Sequence, residues 1–297
     1  MLLLIPVFIF CGSKSSGTGN VIPGQNFIET DQKLFSKKEF GKLYKWKTDY
    51  DTASTVLSRI KIPKGYKRIE DTTNRFGLWL QNLPLKPAGT PVKLFNGGEK
   101  GSQDVHFAVL DIDCGTKDLQ QCADAVMRLR AEFLYGTGNN SSIHFNYTNG
   151  DKIPFSKWAE GYRPVLKANK VNWVKSKPAA SNYKTFKDYL WNVFNYAGSK
   201  SLSMEMKTVA AFENIKAGDV LIVGGFPGHA MTVIDVAKNE KTGKKIFMLC
   251  QSYMPAQDIH IVKNNADNEL SPWYEIPADG VIDTPEWTFK TANLMKW

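Results

Sequence analysis

Two apolar runs near the carboxyl end form the clearest hydrophobic pattern of the chain. Residues 230–237 and 246–254 are each long enough for a buried strand, and a polar octapeptide that contains a glycine separates them. This pattern predicts a β-hairpin. His229 stands directly before the first run, so folding the chain about the turn brings a residue between Gln251 and Met254 opposite it.

The corner that precedes the hairpin favours chemistry at His229. Residues 224–228 are rich in glycine and proline, which let a substrate or another backbone approach closely. Gln251 and Ser252 are candidates to orient the imidazole, whereas Asp235 is roughly 20 Å away along the strand. A histidine in this position suits acid–base catalysis. The alternative is a structural histidine whose hydrogen bonds are satisfied at the corner.

Helical spacing appears in the middle of the chain. Residues 119–135 form the clearest helix, with Asp118 as the predicted N-cap and Gly136 as the stop. A second helix is predicted at residues 183–196, and a buried strand at residues 105–112. The helices come first and the antiparallel strands later, an order that predicts an α+β fold.

Cys122 lies in the first turns of the first helix and has two interpretations. It begins an apolar stripe with Val126, Leu129 and Phe133, which indicates a core thiol whose pKa is raised by burial. It also lies at the positive end of the helix dipole, which favours a thiolate nucleophile with a lowered pKa and a histidine partner. On the opposite flank, four-residue spacing predicts a ladder of ion pairs along Asp124, Arg128 and Glu132.

The amino-terminal segment predicts the compartment. Residues 1–10 are almost wholly apolar and end at Cys11, and a polar tether follows over residues 12–25. So short a run cannot span a bilayer but matches an export signal. It resembles a bacterial lipoprotein signal, although Phe10 stands where a small residue is usual and no basic residue precedes the run. The resemblance implies lipid attachment at Cys11 and a membrane-anchored protein of the bacterial envelope, on its periplasmic or outer-surface side. The alternative is an ordinary signal peptide that is cleaved nearby.

Composition bounds the domain organisation. The 297 residues are 42% hydrophobic and 12% aromatic, which excludes a disordered chain. Apart from the export signal, at residues 1–11, and the tether, we expect a single α+β domain over residues 26–297. Within it we expect an N-terminal extension at about 26–100 and a core at about 101–290.

The net charge of +9 is spread over Lys-rich loops. No phosphate-binding glycine loop, zinc-ligand spacing or RNA-binding aromatic motif accompanies it, so nucleic acid is not expected as a partner. The surface suits anionic envelope polymers or lipid headgroups. No cofactor or metal is expected, and a metal hydrolase is a less favoured class, because neither His-x-His nor His-Glu-x-x-His occurs. The histidines are His106, His144, His229 and His260.

Three cysteines follow Cys11, and an odd number leaves at least one free thiol in an exported protein. A bridge between Cys114 and Cys122 would close a short loop, and the sequence leaves it open. Cys250 lies in an apolar run, which is typical of a small core residue.

Four sequence runs carry a family resemblance. They are DLQQCADAVMRLRAE at residues 118–132, GDV at 218–220, PGHA at 227–230 and QSYMPAQ at 251–257. The chain resembles, over about residues 64–289, a family of exported bacterial proteins filed as domain of unknown function 4846. That family implies no established activity.

A broader resemblance concerns the order of the candidate residues. A cysteine at a helix start, then Gly-Asp-Val, a histidine that opens a strand and a polar residue on the next strand are similar to papain-like cysteine hydrolases. This group includes the bacterial cell-wall peptidases of the NlpC/P60 type. The resemblance implies a central helix packed on an antiparallel sheet, with Cys122 as nucleophile, His229 as general base and Gln251 as orienting residue.

The chain departs from that pattern around the cysteine, which lies in Gln-Cys-Ala. Thr116 stands six residues before the cysteine, where papain has an oxyanion glutamine, and Gln120 and Gln121 are expected inside the helix. Oxyanion stabilisation would therefore come from backbone N–H groups at the helix start.

Two functions follow as expectations. The first is an envelope-anchored cysteine hydrolase that cleaves an amide bond in cell-wall peptides, and its thiol should react with iodoacetamide at neutral pH. The alternative is a non-catalytic envelope lipoprotein that binds glycan or peptide on a degenerate papain-like scaffold. The aromatic residues that could stack on such a ligand are Trp158, Tyr162, Trp173, Trp273, Tyr274 and Trp287.

Overall fold

The computed structural model describes residues 28–30, 33–35 and 37–297. The α-helices are α1 (Lys37–Phe40), α2 (Val56–Arg59), α3 (Arg75–Gln81), α4 (Cys122–Gly136), α5 (Phe155–Ala159), α6 (Tyr183–Tyr196) and α7 (Ser199–Glu205). Short 3-10 helices occupy Gly41–Leu43, Asn140–Ser142, Phe212–Asn214 and Thr291–Asn293.

The strands up to the middle of the chain are β1 (Ile28–Thr30), β2 (Lys33–Phe35), β3 (Tyr66–Arg68), β4 (His106–Val109), β5 (His144–Asn146), β6 (Lys152–Pro154), β7 (Tyr162–Lys167) and β8 (Lys170–Lys175). The later strands are β9 (Lys207–Thr208), β10 (Val220–Val223), β11 (His229–Asn239), β12 (Lys245–Gln251), β13 (His260–Val262), β14 (Tyr274–Glu275), β15 (Val281–Asp283), β16 (Thr288–Lys290) and β17 (Leu294–Lys296).

A nine-stranded antiparallel sheet organises the molecule. Its order is β4-β13-β12-β11-β10-β17-β9, with β3 also paired to β11 and β14 to β12. Two-stranded ribbons lie outside it, among them β5-β6, β7-β8 and β15-β16. The predicted α+β class is therefore confirmed.

The central strand β11 is buried on both faces because each face is covered by a different apolar cluster. On one face Ile234 packs in the larger cluster with Val126 and Leu129 of α4. On the other face Val233 packs in a second cluster with Phe289 of the carboxyl-terminal ribbon. Burial of both faces explains why β11 reads as a continuous apolar run rather than as an alternating one.

The predicted hairpin is confirmed. Strands β11 and β12 are antiparallel, with Thr232 opposite Cys250 and Val233 opposite Leu249. The second strand ends at Gln251, three residues before the predicted end. There the chain leaves the sheet and returns as β13, where His260 pairs with Gln251.

Helix α4 begins three residues later than predicted. Asp118 does not cap it, because the Asp118 Oδ1 accepts a hydrogen bond from the backbone N–H of Ala256 at 2.7 Å. The N-cap is Gln121, whose backbone N–H donates to Asp124 Oδ2 at 3.1 Å. Cys122 is therefore the first residue of the helix, and the predicted stop at Gly136 is confirmed as its last residue.

The predicted ion-pair ladder is only partly present. Arg128 and Glu132 pair at 2.7 Å, but both side chains are fully buried rather than solvated. Arg128 also donates to the side chain of Gln120 at 2.9 Å and contacts Asp113. Asp124 takes no part in the ladder, because its carboxylate accepts from the helix N-cap. The flank is a buried polar network and not an exposed face.

The predictions for the middle and the ends of the chain have different outcomes. Helix α6 matches its prediction, whereas the buried strand predicted at residues 105–112 is shorter, at His106–Val109. The segment between α4 and α6 contains two β-ribbons and α5. Cys11 and its tether lie outside the described residues. Within the described part of the chain, no helix is long and apolar enough to cross a membrane.

Candidate functional site

The site begins with a hydrogen bond between two adjacent strands. His229 Nε2 and Gln251 Oε1 are 2.7 Å apart, and both residues are buried. The strand register explains the contact. When the register is continued by one residue beyond the Thr232–Cys250 pair, Gln251 lies opposite Met231. His229 is two residues further along the same strand, so its side chain points to the same face. The pairing thus brings together the two residues that the hairpin predicted.

A second hydrogen bond fixes the orientation of the Gln251 amide. Gln251 Nε2 donates to Glu286 Oε2 at 2.7 Å, and a carboxylate can only accept. The same nitrogen lies 3.3 Å from His260 Nε2, and His260 Nδ1 donates to the carbonyl oxygen of Asp258 at 2.9 Å. Both neighbours therefore require the NH₂ group on this side and the carbonyl oxygen toward His229.

This orientation determines the tautomer of His229. Because Gln251 Oε1 accepts, His229 Nε2 carries the hydrogen, and Nδ1 is the unprotonated nitrogen. Burial lowers the pKa of His229 to about 4, with the Gln251 hydrogen bond opposing this shift. The imidazole is therefore neutral at neutral pH and can act as a base through Nδ1.

Aromatic rings enclose the imidazole. The ring centroids of Tyr253, Trp287 and Phe289 lie 5.0, 5.3 and 5.9 Å from that of His229. Glu286 and Trp287 belong to the turn between β15 and β16, and Lys100 forms an ion pair with Glu286. The carboxyl-terminal ribbon thus forms one wall of the site.

Cys122 is half-buried at the start of α4, and the backbone N–H of Ala230, the residue after His229, acts to lower the pKa of its thiol. Burial raises the pKa of the Cys122 thiol to about 11, and the nearby Asp124 raises it further. Backbone N–H groups at the helix start act in the opposite direction. The shift has the sign expected of a buried thiol, and the resting group is a thiol and not a thiolate.

Cys122 and His229 line the same cleft, which has a volume of about 510 Å³. Phe226 and Met254 lie on its rim and are 84% and 61% exposed. Among the described residues that line the cleft, none is Lys or Arg, although the chain carries a net charge of +9. The cleft combines a thiol, a neutral imidazole and apolar walls.

Comparison with known proteins identifies the family. A family model described as domain of unknown function (4846) matches residues 56–296. The chain belongs to this family. No significant match was found among curated proteins or among solved structures. The matched residues include the whole cleft, so the cleft is part of the domain of unknown function 4846 and not of an added segment.

Other residues predicted for this family member's site have different surroundings. Ser252 Oγ bonds to the carbonyl oxygens of Gln120 and Gln257, which makes it a support of the loop after β12. Gln120 and Gln121 precede the helix rather than lying within it. Gln121 lines the cleft and Gln120 faces Arg128, whereas Thr116 does not line the cleft.

The remaining candidates lie elsewhere in the domain. Cys114, Cys122 and Cys250 are free thiols. Of the aromatic residues considered for stacking, Trp158, Trp273 and Tyr274 are core residues, and Trp287 lines the cleft. In the described part of the chain, no group of three His, Cys, Asp or Glu side chains could hold a metal ion.

The sequence did not indicate Glu286, His260 or Lys100 as residues around Gln251. Glu286 and His260 contact the Gln251 side chain, and Lys100 pairs with Glu286. Glu286 lies in a short Pro-containing turn without hydrophobic periodicity, 35 residues after Gln251. Only Trp287, as an aromatic residue in the tail, gave a signal near this position.

Proposed function

We propose that this member of the domain of unknown function 4846 family is an envelope-anchored cysteine hydrolase that cleaves an amide bond in cell-wall peptides. Cys122 is the nucleophile, His229 the general base and Gln251 the orienting residue. The observation that carries the proposal is the fixed tautomer of His229, which leaves Nδ1 as a neutral base in the cleft that holds the thiol.

The chemistry uses a proton transfer at the moment of attack. The thiol proton passes from Cys122 Sγ to His229 Nδ1 as the sulfur bonds to the substrate carbonyl carbon. Backbone N–H groups at the start of α4 stabilise the oxyanion. Collapse of the intermediate breaks the C–N bond, and the leaving amine takes the proton from Nδ1. Water, deprotonated by His229, then hydrolyses the thioester and releases the acid and the thiol.

The arrangement of elements supports a papain-like relationship as part of this proposal. A helix that begins at the cysteine packs across β11 and β12, and these strands carry the histidine and the glutamine. Gln251 occupies the place of the orienting residue, and Glu286 holds it from the other side.

Anchoring at the membrane is the second part of the proposal and rests on the apolar run that ends at Cys11. Cys11→Ala should move the protein from the membrane fraction to the soluble fraction of the cells that export it. Fractionation of the unchanged chain as a soluble cytoplasmic protein would contradict the anchor while leaving the hydrolase proposal intact.

The hydrolase is tested with peptidoglycan-derived peptides. Cys122→Ser and His229→Ala should each reduce turnover by about a thousandfold or more, because residues that act as a unit fail together. Mass spectrometry of the unchanged chain should show an acyl-enzyme on Cys122. Cys114→Ser is the matched control, since this thiol is buried outside the cleft. Full turnover by Cys122→Ser would refute the proposal.

A non-catalytic binding protein is the second candidate. The raised pKa of Cys122 and the exposed Phe226 and Met254 at the cleft rim favour it. In that case, the same peptides should bind the unchanged chain and Cys122→Ser equally well, without an acyl-enzyme. Loss of affinity in Phe226→Ala would then place the ligand in the cleft.

A further inference from the structure

A strongly basic ribbon forms a two-stranded sheet of its own, separate from the nine-stranded sheet. Strands β7 and β8 pair from Tyr162 opposite Lys175 to Lys167 opposite Lys170. We call residues 162–177 the basic ribbon. It contains no Asp or Glu, and its basic residues are Arg163, Lys167, Lys170, Lys175 and Lys177. None of its residues lines the cleft.

Large apolar side chains on the basic ribbon face water. Val165, Leu166 and Val174 are 40%, 42% and 47% exposed. Val171 and Trp173 pack against the core, so the ribbon is attached to the body on one side. Exposed apolar side chains interspersed with cations are typical of a surface that meets an amphipathic partner.

Few of the cations are neutralised within the protein. Arg163 stacks on Trp158 at 3.9 Å and donates to its carbonyl oxygen, so it serves the body of the domain. Lys170 pairs with Asp151 at 3.5 Å. Among the described residues, Lys167, Lys175 and Lys177 have no carboxylate partner. Positive charge without a carboxylate partner therefore occurs at Lys167 near the turn of the ribbon and at Lys175 and Lys177 near its base, where Lys175 also lies 5.5 Å from the Tyr162 ring.

We propose that the basic ribbon is a docking surface for an anionic lipid bilayer. Lys167 and Lys170 contact the phosphate groups of the lipid headgroups. Val165 and Val174, which lie on the same face of the ribbon as these lysines, enter the interface between headgroups and acyl chains. Charge complementarity supplies the attraction, and each cation near the surface should raise the partition coefficient by about fivefold. The exposed apolar side chains favour a bilayer over a soluble anionic polymer, which would offer them no apolar environment.

The test is co-sedimentation of the full chain carrying Cys11→Ala, which removes lipid attachment, with vesicles of phosphatidylglycerol and phosphatidylcholine in equal parts. Lys167→Glu/Lys170→Glu should lower the partition coefficient by roughly tenfold or more. Val165→Asn/Val174→Asn should also lower it, although the charge is unchanged. Vesicles of phosphatidylcholine alone should bind the unchanged chain weakly, and added salt should weaken binding to the anionic vesicles.

The turn between β11 and β12 provides a matched control. Lys241 and Lys244 are exposed there without exposed large apolar neighbours. Lys241→Glu/Lys244→Glu makes the same charge change and should leave binding within about twofold. Equal loss in both charge variants would refute a localised surface. Unchanged binding in the asparagine variant, together with equal affinity for soluble polyphosphate, would refute the bilayer as partner. Thermal unfolding confirms that each variant is folded.

Discussion

The protonation states of two residues determine how the site would work. At neutral pH Cys122 is a thiol, because burial raises its pKa to about 11, and His229 is a neutral imidazole, because burial lowers its pKa to about 4. The resting pair is therefore uncharged, unlike a preformed thiolate–imidazolium pair. A buried ion pair would need strong hydrogen bonds to offset its desolvation, whereas a neutral pair does not.

The reactivity of the thiol tests this state. We expect iodoacetamide to alkylate Cys122 slowly at neutral pH, with a rate that rises about tenfold for each pH unit as the thiolate forms. The sequence predicts that the thiol of a cysteine hydrolase reacts with iodoacetamide at neutral pH. Because burial raises the pKa of Cys122, we instead expect this reaction to be slow. Intact-mass kinetics on the unchanged chain and on Cys122→Ser measure the rate. A plateau below about pH 8 would show an ion pair instead.

The buried imidazole also predicts a pH dependence of stability. The pKa of His229 falls from 6.5 to about 4 on folding, so the unfolded chain binds an additional proton between these values. This contribution is complete above the unfolded pKa and is lost as pH falls toward about 4, at about 1.4 kcal/mol for each pH unit.

Chemical denaturation across that range should show a shallower pH slope for His229→Gln than for the unchanged chain. His144→Gln, on β5 and partly exposed, is the control. Equal slopes in all three proteins would mean that His229 is protonated equally in the folded and unfolded states.

At the scale of elements, the turn between β15 and β16 controls the orientation of Gln251. Glu286→Leu removes the closer of the two acceptors of the Gln251 NH₂ group. Only the longer contact with His260 Nε2 remains, so the amide can rotate and present its nitrogen to His229. Glu286→Gln keeps an acceptor oxygen. We expect ¹⁵N spectra to show the Nε2–H tautomer of His229 in the unchanged chain and in Glu286→Gln, and a mixture in Glu286→Leu.

Turnover should fall at least about tenfold in Glu286→Leu, because a wrong tautomer removes the base. The spectral result is independent of any enzymatic activity. A persistent Nε2–H tautomer in Glu286→Leu would show that the ion pair with Lys100 and the turn do not orient the amide.

Local patterns predicted some elements well. The β11–β12 hairpin and helix α6 follow from apolar runs, periodicity and turn residues, which act within a few residues of one another. The start of α4 does not follow from local patterns, because the Asp118 side chain accepts a hydrogen bond from the backbone of Ala256 and does not cap the helix. The ribbon of β7 and β8 is less clearly marked in the sequence, because β8 alternates between exposed and partly buried positions but the last three residues of β7 are all exposed.

At the scale of the whole molecule, a buried ion pair joins the amino-terminal part to the central strand. Arg68 on β3 pairs with the fully buried Asp235 on β11 at 2.6 Å, and Gln81 of α3 donates to the same carboxylate at 2.7 Å. Burial raises the pKa of Asp235, and Arg68 opposes that shift. The carboxylate thus depends on partners from two elements outside the hairpin.

Removing one partner should be costly. We expect Arg68→Met to lower the free energy of unfolding by about 3–5 kcal/mol, because it leaves a buried charge without a counterion. Lys67→Met, on the same strand but exposed, should change it by about 0.5 kcal/mol or less. Urea denaturation gives both values.

The double variant Arg68→Met/Asp235→Leu should recover much of the loss, since neither charge remains buried. A double variant that is less stable than Arg68→Met alone would show that the hydrogen bond from Gln81 outweighs the ion pair.

The parts of the site that depend on the whole fold could not be predicted from the sequence. His229 and Gln251 are near each other through one hairpin, and the helix start marked Cys122. Glu286 reaches Gln251 only after the sheet, the loop that leads to β13 and the last ribbon are in place. No local pattern encodes a contact of that kind.

The residues around the imidazole are spread widely along the chain, with the thiol near the middle and Glu286 close to the carboxyl end. A ribosome makes the thiol segment well before the histidine and the final turn. During synthesis, before these later segments are made, the sulfur has no base beside it and no cleft around it. Amide cleavage of the proposed kind can therefore begin only after the complete chain has folded.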